Sequence, residues 1–117
     1  MTINELNTRI SKGESFIVAN DGQFLGKLSL NIYDSESILN AYGQYGNPYS
    51  YTSINNKFSI YGSQYSSLSP YNPYTSTPPT IYLRGNKFGF LTVNQFLYIS
   101  VNPTQIREWM KFNNLFY

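Results

Sequence analysis

The chain has 117 residues, a net charge of +2, 41% hydrophobic residues and only 12% charged ones, and it contains no Cys and no His. That length fits one domain, expected to span 1–117. The missing residue types exclude disulfides, thiolate nucleophiles, His-based triads and the usual zinc, copper or haem ligand sets, so no cofactor or metal is expected.

The start of the chain, Met1 to Leu6, is polar and lacks the apolar core of a secretory signal, and no stretch is long enough to span a bilayer. A cytoplasmic location is expected, although the lack of Cys suits secretion after processing equally well. Ile3, Leu6 and Ile10 predict a short helix that ends at Lys12-Gly13.

A first hairpin is predicted over 14–31. The β-prone run Phe16 to Ala19 leads into the turn dipeptide Asp21-Gly22 and a second run from Phe24. The block Gly22 to Asn31 recurs as Gly85 to Asn94, and the two copies share the pattern G-x-x-[LF]-G-x-L-[ST]-x-N. The second copy follows Ile81-Tyr82-Leu83 and predicts a second hairpin over 80–94, turning at Gly85-Asn86. Gly26 and Gly89 fall inside strands, where glycine marks a bulge or a close backbone approach. Leu25, Leu28, Phe88 and Leu91 are the expected packing residues of a small antiparallel sheet.

Between the hairpins, residues 34–79 carry a different repeat, whose period of 16 is the step from Ser37 to Ser53 and from Ser53 to Ser69. Ser37-Ile38-Leu39-Asn40-Ala41-Tyr42, Ser53 to Phe58 and Ser69 to Tyr74 share S-x-x-N-x-[YF], and Tyr45 to Ser50 matches Tyr61 to Ser66. Ser37, Ser53 and Ser69 are expected to cap short helical turns. Asp34-Ser35-Glu36 suits a helix start. From residue 37 to residue 83 the one charged side chain is Lys57. The strict period predicts an ordered insert rather than a disordered low-complexity segment.

Phe96 to Ile99 reads as a last strand. Asn102-Pro103-Thr104-Gln105 is a helix start, and a helix over 102–113 presents Ile106, Trp109 and Met110 on one face. The expected fold class is α+β. Two related hairpins form the sheet, a Tyr/Ser/Asn-rich insert contains short helical turns, and a C-terminal helix packs on the sheet.

Residues 20–94 resemble an uncharacterised family of small bacterial proteins with no known activity. The resemblance rests on Asp21 to Leu28 (D-G-x-[FY]-L-G-x-L), Tyr42 to Ser50 (Tyr-Gly-x-Tyr-Gly-x-x-Tyr-Ser), Asn72 to Pro79 and Gly89 to Asn94. Asn55-Asn56-Lys57-Phe58 departs from that pattern, which has an aromatic-Asn-Pro-Tyr there. The resemblance implies one ordered domain and carries over no catalytic residue.

For function, the residues point to a non-catalytic binding or interaction module. Eight of the twelve tyrosines lie between Tyr42 and Tyr74, and Tyr offers a large rigid contact area with a polar tip. The candidate ligand-binding residues are Tyr42, Tyr45, Tyr49, Lys57, Tyr61, Tyr65 and Arg84, the two cations serving an anionic ligand. The candidate ligand is small and polar, nucleotide-like or sugar-like, or else a protein. A structural, homo-oligomerising role is the alternative. Two readings rank below these. A single-stranded nucleic-acid binder has only Lys87 to Leu91 in its favour, and a net charge of +2 gives nucleic acid little hold. A carboxylate hydrolase would have to use Asp34 and Glu36, whose positions suit capping better. No catalytic residue is assigned, and no membrane partner is expected.

Overall fold

Two bulged hairpins, joined side by side, form the sheet of this chain, whose computed structural model describes residues 1–116. The fold is α+β. Its elements are helix α1 (Ile3–Ser11), strands β1 (Phe16–Val18), β2 (Phe24–Lys27), β3 (Thr80–Leu83), β4 (Asn86–Leu91) and β5 (Ser100–Val101), and helix α2 (Ile106–Phe112). The sheet order is β2-β1-β3-β4-β5, antiparallel except for the parallel β4–β5 pair. The sheet is therefore mixed where an antiparallel one was expected.

The two hairpins repeat each other in detail. In the first, Ile17 faces Gly26 and Val18 faces Phe24, leaving Leu25 as the extra residue of a bulge. In the second, Ile81 faces Gly89 and Tyr82 faces Lys87, leaving Phe88 extra. Both in-strand glycines sit where another chain segment comes close. A Cβ on Gly26, whose φ is +119°, would lie 2.8 Å from the Tyr45 side chain, and one on Gly89 would lie 2.3 Å from the Ile99 carbonyl oxygen. The second turn falls one residue earlier than Gly85-Asn86: Leu83 pairs with Asn86, and Arg84 and Gly85 both take positive φ, the requirement of a two-residue primed turn.

The core lies where β1, β2 and β3 meet the insert and α2. Ile17, Leu25, Leu28, Ile38, Ile81, Leu91 and Met110 are fully buried in it. Phe88 is the exception among the expected packing residues. It lies at the surface and packs edge-on against Trp109 at 5.3 Å, while Ile106 and Met110 anchor α2. α1 begins with a capping box between Thr2 and Glu5, which satisfies two otherwise orphan amides. A 3-10 turn, Pro103–Gln105, capped by Asn102, precedes α2.

The predicted strand Phe96–Ile99 does not form; the strand is Ser100–Val101. Asn94 folds the chain into a turn by accepting the Phe96 amide, and Ile99 has φ +52°, a left-handed conformation that breaks an extended run.

The insert forms no helix. It is a run of turns linked end to end, in which most backbone bonds return three residues and the next starts where the last ended, while the Asn47 and Ser63 amides return four, to Gly43 and Ser59. The amides of Asp34, Ser37, Asn40 and Gly43 donate in this way to the carbonyls of Asn31, Asp34, Ser37 and Asn40. One period later the amides of Ser50, Ser53, Asn56 and Ser59 donate to Asn47, Ser50, Ser53 and Asn56. Ser and Asn oxygens capture the amide two residues ahead at most of the turn starts, so the amides that would continue a helix are already taken. The insert divides into three coils: 31–46, 47–62 and 63–78. Ser37, Ser53 and Ser69 are fully buried at matching positions, beside the buried Ile38, Ile54 and Pro70.

The coils are fastened at both ends. The first coil extends the β2 edge: the Lys27 amide donates to Glu36 at 2.7 Å, and the Ile38 amide donates to Lys27 at 3.1 Å. The third is held by the chain after β4. There the Val93 amide donates to Pro70 and the Asn94 side chain donates to Thr75, each at 2.8 Å.

Candidate functional site: two rows of exposed rings

Asn40, Asn56 and Asn72 hold the coils in the same way. Each side-chain nitrogen donates to the carbonyl six residues back (Asp34, Ser50 and Ser66, at 3.2, 3.0 and 3.2 Å). Each side-chain oxygen accepts the amide two residues on, that of Tyr42, Phe58 and Tyr74, at 3.0, 3.0 and 2.9 Å. Tyr42, Phe58 and Tyr74 are 90% to 97% exposed. A second row is made by Tyr33, Tyr49 and Tyr65, all 85% to 87% exposed, whose amides are held by Asn31, Asn47 and Ser63. Six aromatic rings thus stand in solvent, each on a backbone that a side chain two residues earlier fixes in place.

The two rows flank hollows. In the first coil, Tyr33 and Tyr42 border a hollow of about 370 Å³. At the same positions of the third coil, Tyr65 and Tyr74 border one of about 390 Å³. Between the second and third coils a recess of about 290 Å³ is lined by Lys57, Gln64, Tyr65 and Tyr71 over Ile54. Gln64 and Tyr65 border both the recess and the third-coil hollow.

Of the residues expected at a site, the structure places Tyr42, Tyr49, Lys57 and Tyr65 on this surface. Tyr45 turns inward and meets Phe24 edge-on at 5.0 Å, and partial burial pushes its phenol pKa up. Tyr61 is buried against Tyr51, and its hydroxyl donates to Asp21 at 2.8 Å. Burial first, then Asp21, pushes the Tyr61 phenol up to about 12. Arg84 lies in the β3–β4 turn, its guanidinium donating to the Asn113 carbonyl, and it borders none of these hollows. Tyr33, Phe58 and Tyr74 are the ring positions that sequence reasoning passed over. Their signal was present as [N/S]-x-[Y/F] triplets inside each coil.

Asp34 and Glu36 are held by cations. Lys27 contacts Asp34 at 2.8 Å, and Arg9 contacts both Glu36 and Glu14 at 2.7 Å while lying 3.9 Å over the Phe24 ring. Burial pushes the Asp34 carboxyl up, but the bonds from Lys27 and the Glu36 amide outweigh it and hold its pKa below the usual value. These pairs tie the first coil to α1 and β2. Among the described residues, no helix is long and apolar enough to cross a membrane.

No protein-family model, curated protein or solved structure matches this chain.

Proposed function

We propose that the chain is a non-catalytic module that binds a saccharide chain along its two rows of rings. The observation that carries this reading is the periodic exposure of Tyr33, Tyr49 and Tyr65 beside Tyr42, Phe58 and Tyr74. A sugar unit has an apolar face of C–H groups and a rim of hydroxyls. An exposed aromatic ring suits the face, and Tyr hydroxyls with Asn, Ser and Gln side chains suit the rim. Repeated hollows suit a repeated unit.

Charge and backbone bonding argue against the other polymers. Lys57 is the one charged side chain from residue 37 to residue 83, whereas a nucleic-acid chain needs a cation for nearly every phosphate it docks. A peptide strand adds to a free edge of backbone donors and acceptors. Here much of the coil backbone is committed to its own turns.

The test is calorimetric titration with neutral oligosaccharides of increasing length. Affinity is expected to rise with chain length, and Tyr42→Ala/Phe58→Ala/Tyr74→Ala is expected to abolish binding while the fold is retained. Failure of every oligosaccharide to bind, or unchanged binding by that variant, would overturn the reading.

A second reading, self-association, attaches to a different face. Phe88, Ile99, Trp109 and Phe112 border a groove of about 770 Å³ beside β5, with Glu108 as its one charged lining residue. A second copy placed there would cover the sheet's open edge. Sedimentation of the parent and of Phe112→Glu tests it: a dimer that the substitution dissociates supports it, and a monomeric parent overturns it.

A further inference from the structure

Taking the saccharide reading as its basis, we infer that the recess between the second and third coils is a subsite for a carboxylate-bearing sugar unit, a uronate, with Lys57 as the group that recognises the carboxylate.

Three observations meet at this recess. First, Lys57 is a free cation. Among the described residues the ion pairs are those of Arg9 and Lys27, and Lys57 has none. Second, the recess is where the repeat departs from itself. The positions equivalent to Lys57 are Ala41 and Pro73, those of Gln64 are Ile32 and Pro48, and those of Tyr71 are Leu39 and Asn55. Lys57, Gln64 and Tyr71 thus replace largely apolar or smaller residues, and all three residues line one cavity. Third, the surroundings suit an ion pair with specificity. Ile54 forms a buried floor, Tyr65 stands exposed at the rim, and Tyr71 is half-buried. Burial pushes the Tyr71 phenol pKa up, so it stays a neutral hydroxyl donor. One anionic group among otherwise neutral units is the ligand that matches one cation on an otherwise neutral surface.

The site also implies where along the chain discrimination occurs. The corresponding contact between the first and second coils has Ala41, Pro48 and Asn55, so it recognises no charge. A mixed chain is held in register by its acidic unit.

The experiment compares a neutral oligosaccharide carrying a single internal galacturonate unit with the methyl ester of the same oligosaccharide, which keeps the sugar backbone and removes the charge. Calorimetric titration of the parent is expected to show about five-fold tighter binding of the acid form, the size of one partly exposed ion pair, and the ratio is expected to shrink in high salt. Lys57→Gln is expected to bring the ratio to one, and Lys57→Arg to preserve the preference. Equal binding of acid and ester by the parent would overturn this inference and leave the saccharide reading standing, as would a ratio that survives Lys57→Gln. If neither form binds and no neutral oligosaccharide binds, both fall together. Position 57 accepts Ala and Pro in the other coils, and loss of folding in Lys57→Gln would be read directly from its circular dichroism.

Discussion

The Tyr61 hydroxyl donates to the Asp21 carboxylate at 2.8 Å, across a sequence separation of 40 residues, and so ties the second coil to the turn of the first hairpin. The ring is 5% exposed. The phenol is pushed up to about 12 by burial, then by the bond to Asp21 and its charge. An unfolded chain releases the same proton near pH 10. The sign follows: this stabilisation is full below about pH 10 and is lost as pH rises toward about 12. Ultraviolet titration is expected to show a last phase, near pH 12, from Tyr61. Tyr61→Phe is expected to remove that last phase and to cost about 1 kcal/mol at neutral pH.

Acid tests the first coil. Asp34 is held below its ordinary value of 3.8, because the bonds from Lys27 and the Glu36 amide outweigh the cost of its burial. Its contribution is present above the unfolded pKa and is lost as pH falls through the lower folded one. Denaturant titrations from pH 6 downward are expected to show Asp34→Asn with a shallower acid decline than the parent.

The three Asn clamps are structurally equivalent and are expected to behave so. Asn56→Ala removes the acceptor of the Phe58 amide and the second donor to the Ser50 carbonyl, which keeps the Ser53 amide. A loss of about 2 kcal/mol is expected from two broken side-chain bonds, with Asn40→Ala and Asn72→Ala close to it. Urea unfolding measures each. Hydrogen exchange at the amides of residues 42, 58 and 74 is expected to quicken only in the matching variant.

Gly46 and Gly62 are required for space. A Cβ on either would lie 2.1 Å from a backbone carbonyl oxygen, that of Asn40 or Asn56. Relief demands a shift of backbone, so Gly62→Ala is expected to cost about 3 kcal/mol or more by overpacking, against less than about 0.5 kcal/mol for the exposed Gln64→Ala. Thermal unfolding of the two variants side by side checks this.

Removing exposed rings separates recognition from folding. Tyr42, Phe58 and Tyr74 carry their backbone bonds through amides rather than rings. Each Ala substitution is therefore expected to change stability by less than about 0.5 kcal/mol, while Tyr61→Ala, which empties a buried site, is expected to cost about 3 kcal/mol.

The hairpins were legible because their signal is local. Gly26 and Gly89, at matching positions of the two copies, mark in-strand glycines in both, and the bulges lie next to them. The periodicity of the insert was legible too. Its subdivision into short linked turns was not read, since Ser37 as a helix cap and Ser37 as the start of a β-turn use the same hydroxyl and the same amide at residue 39. Nor does sequence tell Tyr61 from Tyr65. Both follow a Ser by two residues, and both amides bond to it. Only the docking of the coil against Asp21 and Tyr51 sends one ring inward and leaves the other in water. Phe96 to Ile99 failed as a strand for a related reason: the apolar run was read, while the Asn94 turn and the φ of Ile99 decided the path.

The middle coil, 47–62, has its own seat on the first hairpin through Tyr61 and Asp21, while the first and third coils are fixed to β2 and to the chain after β4. All three seats belong to one sheet, so the insert differs from a solenoid that grows freely at its ends. The width of the sheet thereby sets the number of coils, and a fourth would need a further strand pair beneath it.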